Sequence, residues 1–310
     1  MKPARLLLLA AVPVLVTASV YVLAPGDPDA GGTGPDLSFA YRSQAAQDAK
    51  GAGGAKAWAE KADSATDDEM FAGRSRGLAA PAAKDLAQQL VASAENSTLD
   101  WRSAYAYIED IGDGQGYTAG IIGFCTGTHD LLTLVERYTR AHPDNGLAQY
   151  IPALREVDGT DSHEGLDPGF TAAWKTEATR PAFRKAQDAE RDRVYFDPAV
   201  RLAKLDGLGT LGQFVYYDAM VFHGPGTDAA SFYGIRERAL QKARTPTEGG
   251  SEKAYLDAFL DIRRAAMKTR RADIDTSRVD TAQRRFLDEG NLDLRRPLEW
   301  QVYGETYKVP

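Results

Sequence analysis

Apolar residues recur at helical spacing along most of the chain after residue 80, and the first such run is the most regular. It predicts a helix that begins near Pro81 and ends near Glu95. The apolar positions on one face of this helix are Leu86, Leu90, Val91 and Ala94. The same periodicity predicts a short second helix over residues 101–108. Further helices are predicted over residues 131–141, 147–157, 168–176, 181–195, 198–206, 211–222, 231–243, 252–267 and 276–289.

A glycine-rich stretch interrupts this helical pattern. Residues 112–124 combine a turn-forming segment, Gly112 to Gly116, with the run Gly120 to Phe124, and this combination favours β-structure. The sequence contains no internal repeat. The predicted fold class is therefore α+β and predominantly α, with a small β-sheet near the N-terminus of the folded part.

The first 24 residues differ in character from the rest of the chain. Residues 1–5 contain two basic side chains and residues 6–24 contain no charge, which is typical of a secretory signal peptide. The apolar run is also long enough to span a bilayer, so its retention as an N-terminal membrane anchor is the alternative. In either case the rest of the chain is exported, and we expect a secreted, extracellular protein.

Residues 25–80 are rich in Gly, Ala, Asp and Ser and poor in large apolar side chains. A segment of this composition has too little apolar surface to offset the entropy of ordering it, which predicts a linker or propeptide. The folded domain is predicted to span residues 81–310.

Charge and cysteine content exclude several classes of protein. The formal net charge of -7 disfavours a nucleic-acid partner and suits a cationic polymer, although many enzymes with neutral substrates are equally acidic. Cys125 is the only cysteine, which excludes an intrachain disulfide and a cysteine-based zinc site, and its apolar neighbours predict a buried thiol. The four histidines form no i, i+4 pair, so we predict neither a metal nor another cofactor.

Two carboxyl groups lie in contrasting surroundings. Glu95 falls where the first apolar helix gives way to polar residues, and Asp113 lies between Gly112 and Gly114 in the glycine-rich turn. Hydrolysis of a glycosidic bond requires such a contrast, because one group must hold a proton while the other stays ionised. Taken alone, Glu95 is equally consistent with a solvated carboxylate at a helix end, and Asp113 with a turn residue bonded to its own backbone.

The amino-acid sequence around these two carboxyl groups is more specific than their spacing. The segments Ser-Ala-Glu-Asn-Ser (93–97), Tyr-Ile-Glu-Asp-Ile-Gly-Asp-Gly (107–114), Glu-Arg-Asp-Arg-Val-Tyr-Phe-Asp-Pro-Ala (190–199) and Thr-Ser-Arg-Val-Asp-Thr (276–281) closely resemble the glycoside hydrolase family 46 chitosanases. The resemblance covers residues 83 to 308. It implies a secreted, endo-acting chitosanase with a lysozyme-like, two-lobed fold, a substrate cleft between the lobes, and hydrolysis with inversion.

The resemblance also implies roles for individual residues. Glu95 matches the general acid, Asp113 the general base, and Thr118 a threonine that helps to hold the attacking water. Inversion needs room for that water, and a helix end that faces a hairpin turn can supply the required gap of about 6.5–9.5 Å between the carboxyl groups.

Further residues carry over from the family pattern. Arg278, Asp218 and Arg263 match a buried ionic network that reaches the catalytic acid. Asp130 matches a position that binds substrate amino groups, and Tyr107 and His223 are weaker candidates for the cleft wall. Gln115 stands where many relatives carry Arg, which leaves the subsite preference open. Three tryptophans are expected in the core: Trp101, Trp174 and Trp300.

The sequence therefore predicts an exported chitosanase that hydrolyses β-1,4 bonds between glucosamine units. Its expected partner is chitosan, and the protein is expected to be a monomer. One alternative is a lysozyme-like muramidase that acts on peptidoglycan, since the same fold hosts both activities. Another is a non-catalytic polysaccharide-binding surface protein, which would be expected to lack one of the two carboxyl groups.

Overall fold

The computed structural model describes residues 77–112, 114–270 and 272–310. The predicted signal peptide, nearly all of the predicted linker and Asp113 lie outside these described residues. In the part of the chain that is described, no helix combines the length and the apolar character needed to cross a membrane.

The described residues are predominantly helical. The α-helices are α1 (Pro81–Glu95), α2 (Asp130–Ala141), α3 (Ile151–Val157), α4 (Phe170–Glu177), α5 (Pro181–Arg191), α6 (Asp197–Leu205), α7 (Thr210–His223), α8 (Phe232–Leu240), α9 (Glu252–Arg270) and α10 (Arg284–Asp288). Shorter 3-10 segments lie at Gly77–Ala79, Trp101–Ala106, Thr126–Thr128, Ala148–Tyr150 and Pro246–Glu248, and π-helical turns at Asp192–Phe196 and Arg278–Gln283. The first helix has the predicted bounds, and each later predicted helix overlaps an observed one.

A three-stranded antiparallel sheet follows α1 in the order β1 (Ile108–Asp110), β2 (Tyr117–Ala119) and β3 (Phe124–Cys125). Two predictions were wrong here. Ile108 does not continue the second helix, because that helix ends at Ala106 and Ile108 instead pairs with Ala119. Most of the run from Gly120 to Phe124 is a turn and not a strand, because both of its glycines adopt positive φ and reverse the chain between β2 and β3.

A C-terminal hairpin was not predicted. Strands β4 (Leu298–Val302) and β5 (Glu305–Val309) pair in antiparallel register through the turn residues Tyr303 and Gly304, which both have positive φ. Positive φ at both central residues is the geometry of a type I′ turn, whose twist matches that of the strands.

Two separate hydrophobic cores give the domain its two lobes. The smaller core contains residues of the 101–183 segment, including Trp101, Trp174, Leu134 and Phe183. The larger core is built mainly from α6 to α10 and the C-terminal hairpin, and includes Trp300. Helix α1 contributes to both, with Leu90 in the larger core and Ala92 in the smaller one. The expectation that the three tryptophans pack in the core is confirmed.

The hairpin is tied to α1 by a buried hydrogen bond. The indole Nε1 of Trp300 donates to Ser93 Oγ over 2.9 Å, and Ser93 in turn donates to the carbonyl of Leu90 over 2.7 Å. Ser93 lies one residue before Ala94 and two before Glu95. The hairpin therefore supports the segment of α1 that carries the candidate acid.

We predict that Trp300→Phe lowers the free energy of unfolding by about 1–3 kcal/mol, because Phe keeps most of the apolar contact but leaves Ser93 without its indole donor. Chemical denaturation with two-state analysis would measure the loss. Ser93→Ala is the matched control, since it removes the same bond from the other side. If the losses of the two single variants add in full in the double variant, this hydrogen bond is not the cause.

Candidate active site

Glu95 is the last residue of α1. The residues just before it, Val91 to Ala94, are buried, and its own side chain is 24% exposed. The helix thus emerges from the core at this point and presents a carboxyl group at the protein surface. Glu95 Oε1 accepts a hydrogen bond from Arg278 Nη1 over 2.7 Å.

Arg278 joins Glu95 to a second carboxylate. Its side chain is only 2% exposed, and its Nη2 donates to Asp218 Oδ1 over 2.7 Å. The guanidinium group also lies 4.6 Å from the centre of the Phe222 ring, within the range of a cation–π interaction. Charge pairing and the aromatic face together compensate for the burial of this cation.

Asp218 is held in turn by two further side chains. Its Oδ2 accepts hydrogen bonds from Arg263 Nη1 over 2.7 Å and from Gln283 Nε2 over 2.6 Å. Burial alone would raise the pKa of Asp218, but Arg278 and Arg263 beside it lower the pKa to about 2. Burial lowers the pKa of Arg263 itself. The structure thus brings Glu95, Arg278, Asp218 and Arg263 into one chain of ion pairs.

Tyr303 is a neighbour of this network that the sequence analysis missed. It lies in the turn between β4 and β5, and its backbone N–H donates to Ser277 Oγ over 2.8 Å, next to Arg278. Burial raises the pKa of the Tyr303 hydroxyl against the lowering effect of the Arg278 charge. Alternating apolar residues before a Tyr-Gly pair would have indicated this hairpin.

Thr118 lies at the centre of the three-stranded sheet. It pairs in register with Glu109 on β1 and with Cys125 on β3, so these three side chains share one face of the sheet. Thr118 is half-buried, and its Oγ1 lies 3.3 Å from Cys125 Sγ. Asp113 falls in the connection between β1 and β2.

That connection is held in place at Gly116 and Tyr117. Gly116 has a φ of +67°, and a Cβ there would clash with Thr126 Oγ1, so no other residue fits without a shift. The same Thr126 hydroxyl accepts the N–H of Tyr117 over 3.0 Å. The Tyr117 ring stacks on His163 with ring centres 4.0 Å apart. The base of the hairpin is therefore rigidly packed.

The model of glycosyl hydrolase family 46 matches residues 89–298. The chain belongs to glycosyl hydrolase family 46. It is accordingly a glycoside hydrolase, and the predicted lysozyme-like α+β fold is confirmed.

Two curated relatives and one solved structure illustrate the family. A chitosanase of Streptomyces sp. strain N174 is 60% identical over 233 residues, which is 75% of this chain and 84% of that protein. A chitosanase of Nocardioides sp. strain N106 is 57% identical over the same shares of the two chains. The co-crystal structure of chitosanase OU01 with substrate has a TM-score of 0.73 and 56% identity, and it covers 75% of this chain and 98% of that one.

Asp130 is another predicted site residue of this family 46 hydrolase. Its carboxyl group is largely hydrogen-bonded inside the protein. Its Oδ1 accepts the backbone N–H groups of Cys125 and Leu131 and the hydroxyl of Thr128, while its Oδ2 accepts the hydroxyl of Tyr195 over 3.3 Å. Burial of the carboxyl group raises the pKa of Asp130 to about 6. Asp130 therefore holds the segment between β3 and α2 in place through these hydrogen bonds.

Tyr107, His223 and Gln115 differ in accessibility. Tyr107 is half-buried at the start of β1, where its carbonyl accepts the N–H of Gly120 over 2.8 Å. His223 is only 1% exposed, and its Nδ1 lies 2.8 Å from the carbonyl of Ala230. Gln115 is buried in the connection between β1 and β2. The structure thus gives His223 an internal packing position, and its contact with substrate stays a prediction.

In the ranges 77–112, 114–270 and 272–310, no group of three or more His, Cys, Asp or Glu residues is arranged to hold a metal ion.

We predict that Asp218→Asn destabilises the protein by about 3–5 kcal/mol, because two buried guanidinium groups lose their shared counter-charge. The pH dependence should change as well. The folded-state pKa of about 2 lies below the ordinary 3.8, so the ionised Asp218 stabilises the fold fully above about pH 4, and this stabilisation is lost as the pH falls towards 2. Unfolding measured from pH 5 to pH 2 should have a shallower slope in the variant.

Asp288→Asn is the control for this experiment. Asp288 is paired with Lys253, but its side chain is 68% exposed, so its replacement should change stability little. An equal slope for wild type and Asp218→Asn would contradict the assigned pKa direction.

Proposed function

We propose that this protein hydrolyses β-1,4 bonds between glucosamine units of chitosan in an endo fashion, by single displacement with inversion. The observation that carries the proposal is the ion-pair chain that ends on Glu95, in a family 46 hydrolase with chitosanases of Streptomyces and Nocardioides among its relatives. Glu95 is the proposed general acid. Asp113 is the proposed general base, and Thr118 helps to hold the water that Asp113 activates.

The reaction moves one proton at each side of the sugar. Glu95 gives its proton to the glycosidic oxygen as the bond to the anomeric carbon breaks. The water oxygen attacks that carbon from the opposite face while Asp113 takes a proton from the water. Solvent then returns the proton to Glu95 and removes the proton from Asp113.

Arg278 supports the acid step electrostatically. When Glu95 loses its proton, negative charge appears on a carboxyl group whose Oε1 is already 2.7 Å from Arg278 Nη1. A donor placed in advance at the site of developing charge lowers the barrier without reorganisation. Asp218 accepts from the other nitrogen of the same guanidinium group, so Arg278 keeps one carboxylate partner throughout the proposed reaction.

Substrate recognition is proposed to rest on negative charge in the cleft. Glucosamine units are cationic, and the formal charge of the chain is -7, which favours their approach. For Asp130 the oxygen available to an amino group is Oδ2, since its one described bond, to Tyr195, is long at 3.3 Å. Tyr107 and His223 are the remaining proposed substrate contacts.

Secretion, the signal peptide at residues 1–24, the linker at 25–80 and a monomeric state belong to the same proposal. They rest on the sequence pattern described above. A retained membrane anchor is the alternative fate of the N-terminal segment.

We predict that Glu95→Gln and Asp113→Asn each lower turnover of chitosan by several orders of magnitude, because the amides are nearly isosteric but cannot transfer the proton. Reducing-end assays on purified variants would measure this, and circular dichroism would show that both are folded. Glu289→Gln, at an exposed carboxylate paired with Arg285, is the control and should keep full activity. Near-normal turnover in either test variant would refute its assigned role.

We predict that a glucosamine hexamer releases α-anomer first, because direct attack by water inverts the configuration at the anomeric carbon. Proton NMR during the first minutes of hydrolysis would detect it, with Glu95→Gln as the blank. Initial β-anomer would indicate a retaining mechanism and exclude Asp113 as a base.

Cleavage of bacterial cell walls without cleavage of the hexamer would instead favour the muramidase, and binding of chitosan without cleavage would favour a polysaccharide-binding protein.

A further inference from the structure

The thiol of Cys125 lies between two oxygen atoms of the candidate site. Its Sγ is 3.3 Å from the carbonyl oxygen of Gly123 and 3.3 Å from Thr118 Oγ1. The register of β2 and β3 places Cys125 directly opposite Thr118. Cys125 itself is 6% exposed and is fixed by its backbone N–H, which donates to Asp130 Oδ1 over 2.9 Å.

The protons available at these three atoms determine which way the hydrogen bonds run. A thiol has one proton and a carbonyl has none. The contact between Sγ and the Gly123 oxygen is favourable only if the thiol donates to the carbonyl, since the alternative sets two lone pairs against each other. With that proton committed, the contact between Sγ and Thr118 requires the Thr118 hydroxyl to donate to sulfur.

We propose that Cys125 is a positioning residue that holds the Thr118 hydroxyl as a hydrogen-bond acceptor toward the attacking water. This inference rests on the proposed function and makes it more specific. With its own proton directed at sulfur, Thr118 offers only lone pairs to a water molecule. The water then donates one hydrogen to Thr118 and the other to Asp113, and its oxygen lone pair is left to attack the anomeric carbon.

The proton and electron balance of the step is complete with these groups. The water lone pair forms the new bond to carbon, the glycosidic bond breaks, and its electron pair takes the proton of Glu95. The hydrogen that the water directs at Asp113 is transferred. The hydrogen directed at Thr118 stays on the product hydroxyl, and Cys125 neither gains nor loses a proton.

The first test is spectroscopic and does not depend on activity. Because Cys125 is the only cysteine, the S–H stretching band in a Raman spectrum of the protein reports this thiol alone. Replacement of the Thr118 hydroxyl by a methyl group in Thr118→Val should shift the band, since sulfur loses a donor. Thr118→Ser keeps the hydroxyl and should leave the band near its wild-type position. An unchanged band in Thr118→Val would overturn the proposed orientation.

The second test separates positioning from packing. Cys125→Ala should lower kcat on chitosan by about fivefold, the effect of one weak hydrogen bond, and should change KM little. Cys125→Ser can both donate to Gly123 and accept from Thr118, so it should recover most of kcat. Val157→Ala, in the core of the smaller lobe and outside the site, is the packing control: it should lower Tm and leave kcat unchanged.

A double-mutant cycle tests whether Cys125 acts on kcat through the Thr118 hydroxyl. In a Thr118→Val background there is no hydroxyl to orient, so Cys125→Ala should cause no further loss of kcat. Losses that multiply independently in the double variant would overturn the proposal and assign Cys125 to packing alone. A wild-type protein that does not cleave chitosan would instead refute the proposed function, and the Raman result would still decide the hydroxyl orientation.

Discussion

The bond between Arg278 and Glu95 is the interaction on which the candidate site depends. A guanidinium group buried to this degree is stable only if its charge is compensated, and Arg278 is paired with both Glu95 and Asp218. Arg263 is paired with the same Asp218, so the two buried guanidinium groups share one buried carboxylate and Glu95 is the second carboxylate of the chain. The outermost carboxyl group, Glu95, is therefore held by a side chain that is itself fixed from within.

The position of Glu95 follows from the way in which α1 is packed. Leu90 and Ala94 belong to the larger core, and Ala92 between them belongs to the smaller one. The last turn of the helix, which carries Glu95, is therefore packed against both lobes. The other half of the candidate site, the hairpin with Thr118, belongs to the smaller lobe alone and is fixed by its own tight turns.

Long, regular patterns in the sequence predicted the elements of this arrangement better than short ones. Helix α1 was predicted with its observed bounds because its apolar face is long and regular. Strands of two or three residues, such as β3 (Phe124–Cys125), are too short to show an alternation of apolar and polar residues, so the sequence pattern wrongly favours a strand at the glycine turn beside them. The hairpin at Leu298 to Val309 does show this alternation, although it was not predicted.

The residues of the site were harder to predict than the helices. An aspartate within the apolar α7 indicated a costly buried charge at Asp218, but its partner Arg278 is 60 positions away, and no local pattern connects the two. Only the resemblance to family 46 brought them together. The proposed acceptor role of Thr118 could not be predicted from the sequence, because it depends on which atoms lie around the Cys125 sulfur.

The separation in sequence of the bonded pairs has a consequence for biosynthesis. Glu95 and Arg278 are 183 residues apart, and Ser93 and Trp300 are 207 apart. Contacts of such long range close large loops and form slowly compared with local helices. A growing chain therefore has α1 long before it has the partners that orient its last residue. The candidate site is complete only after Arg278 and the C-terminal hairpin have been synthesised and have packed against α1.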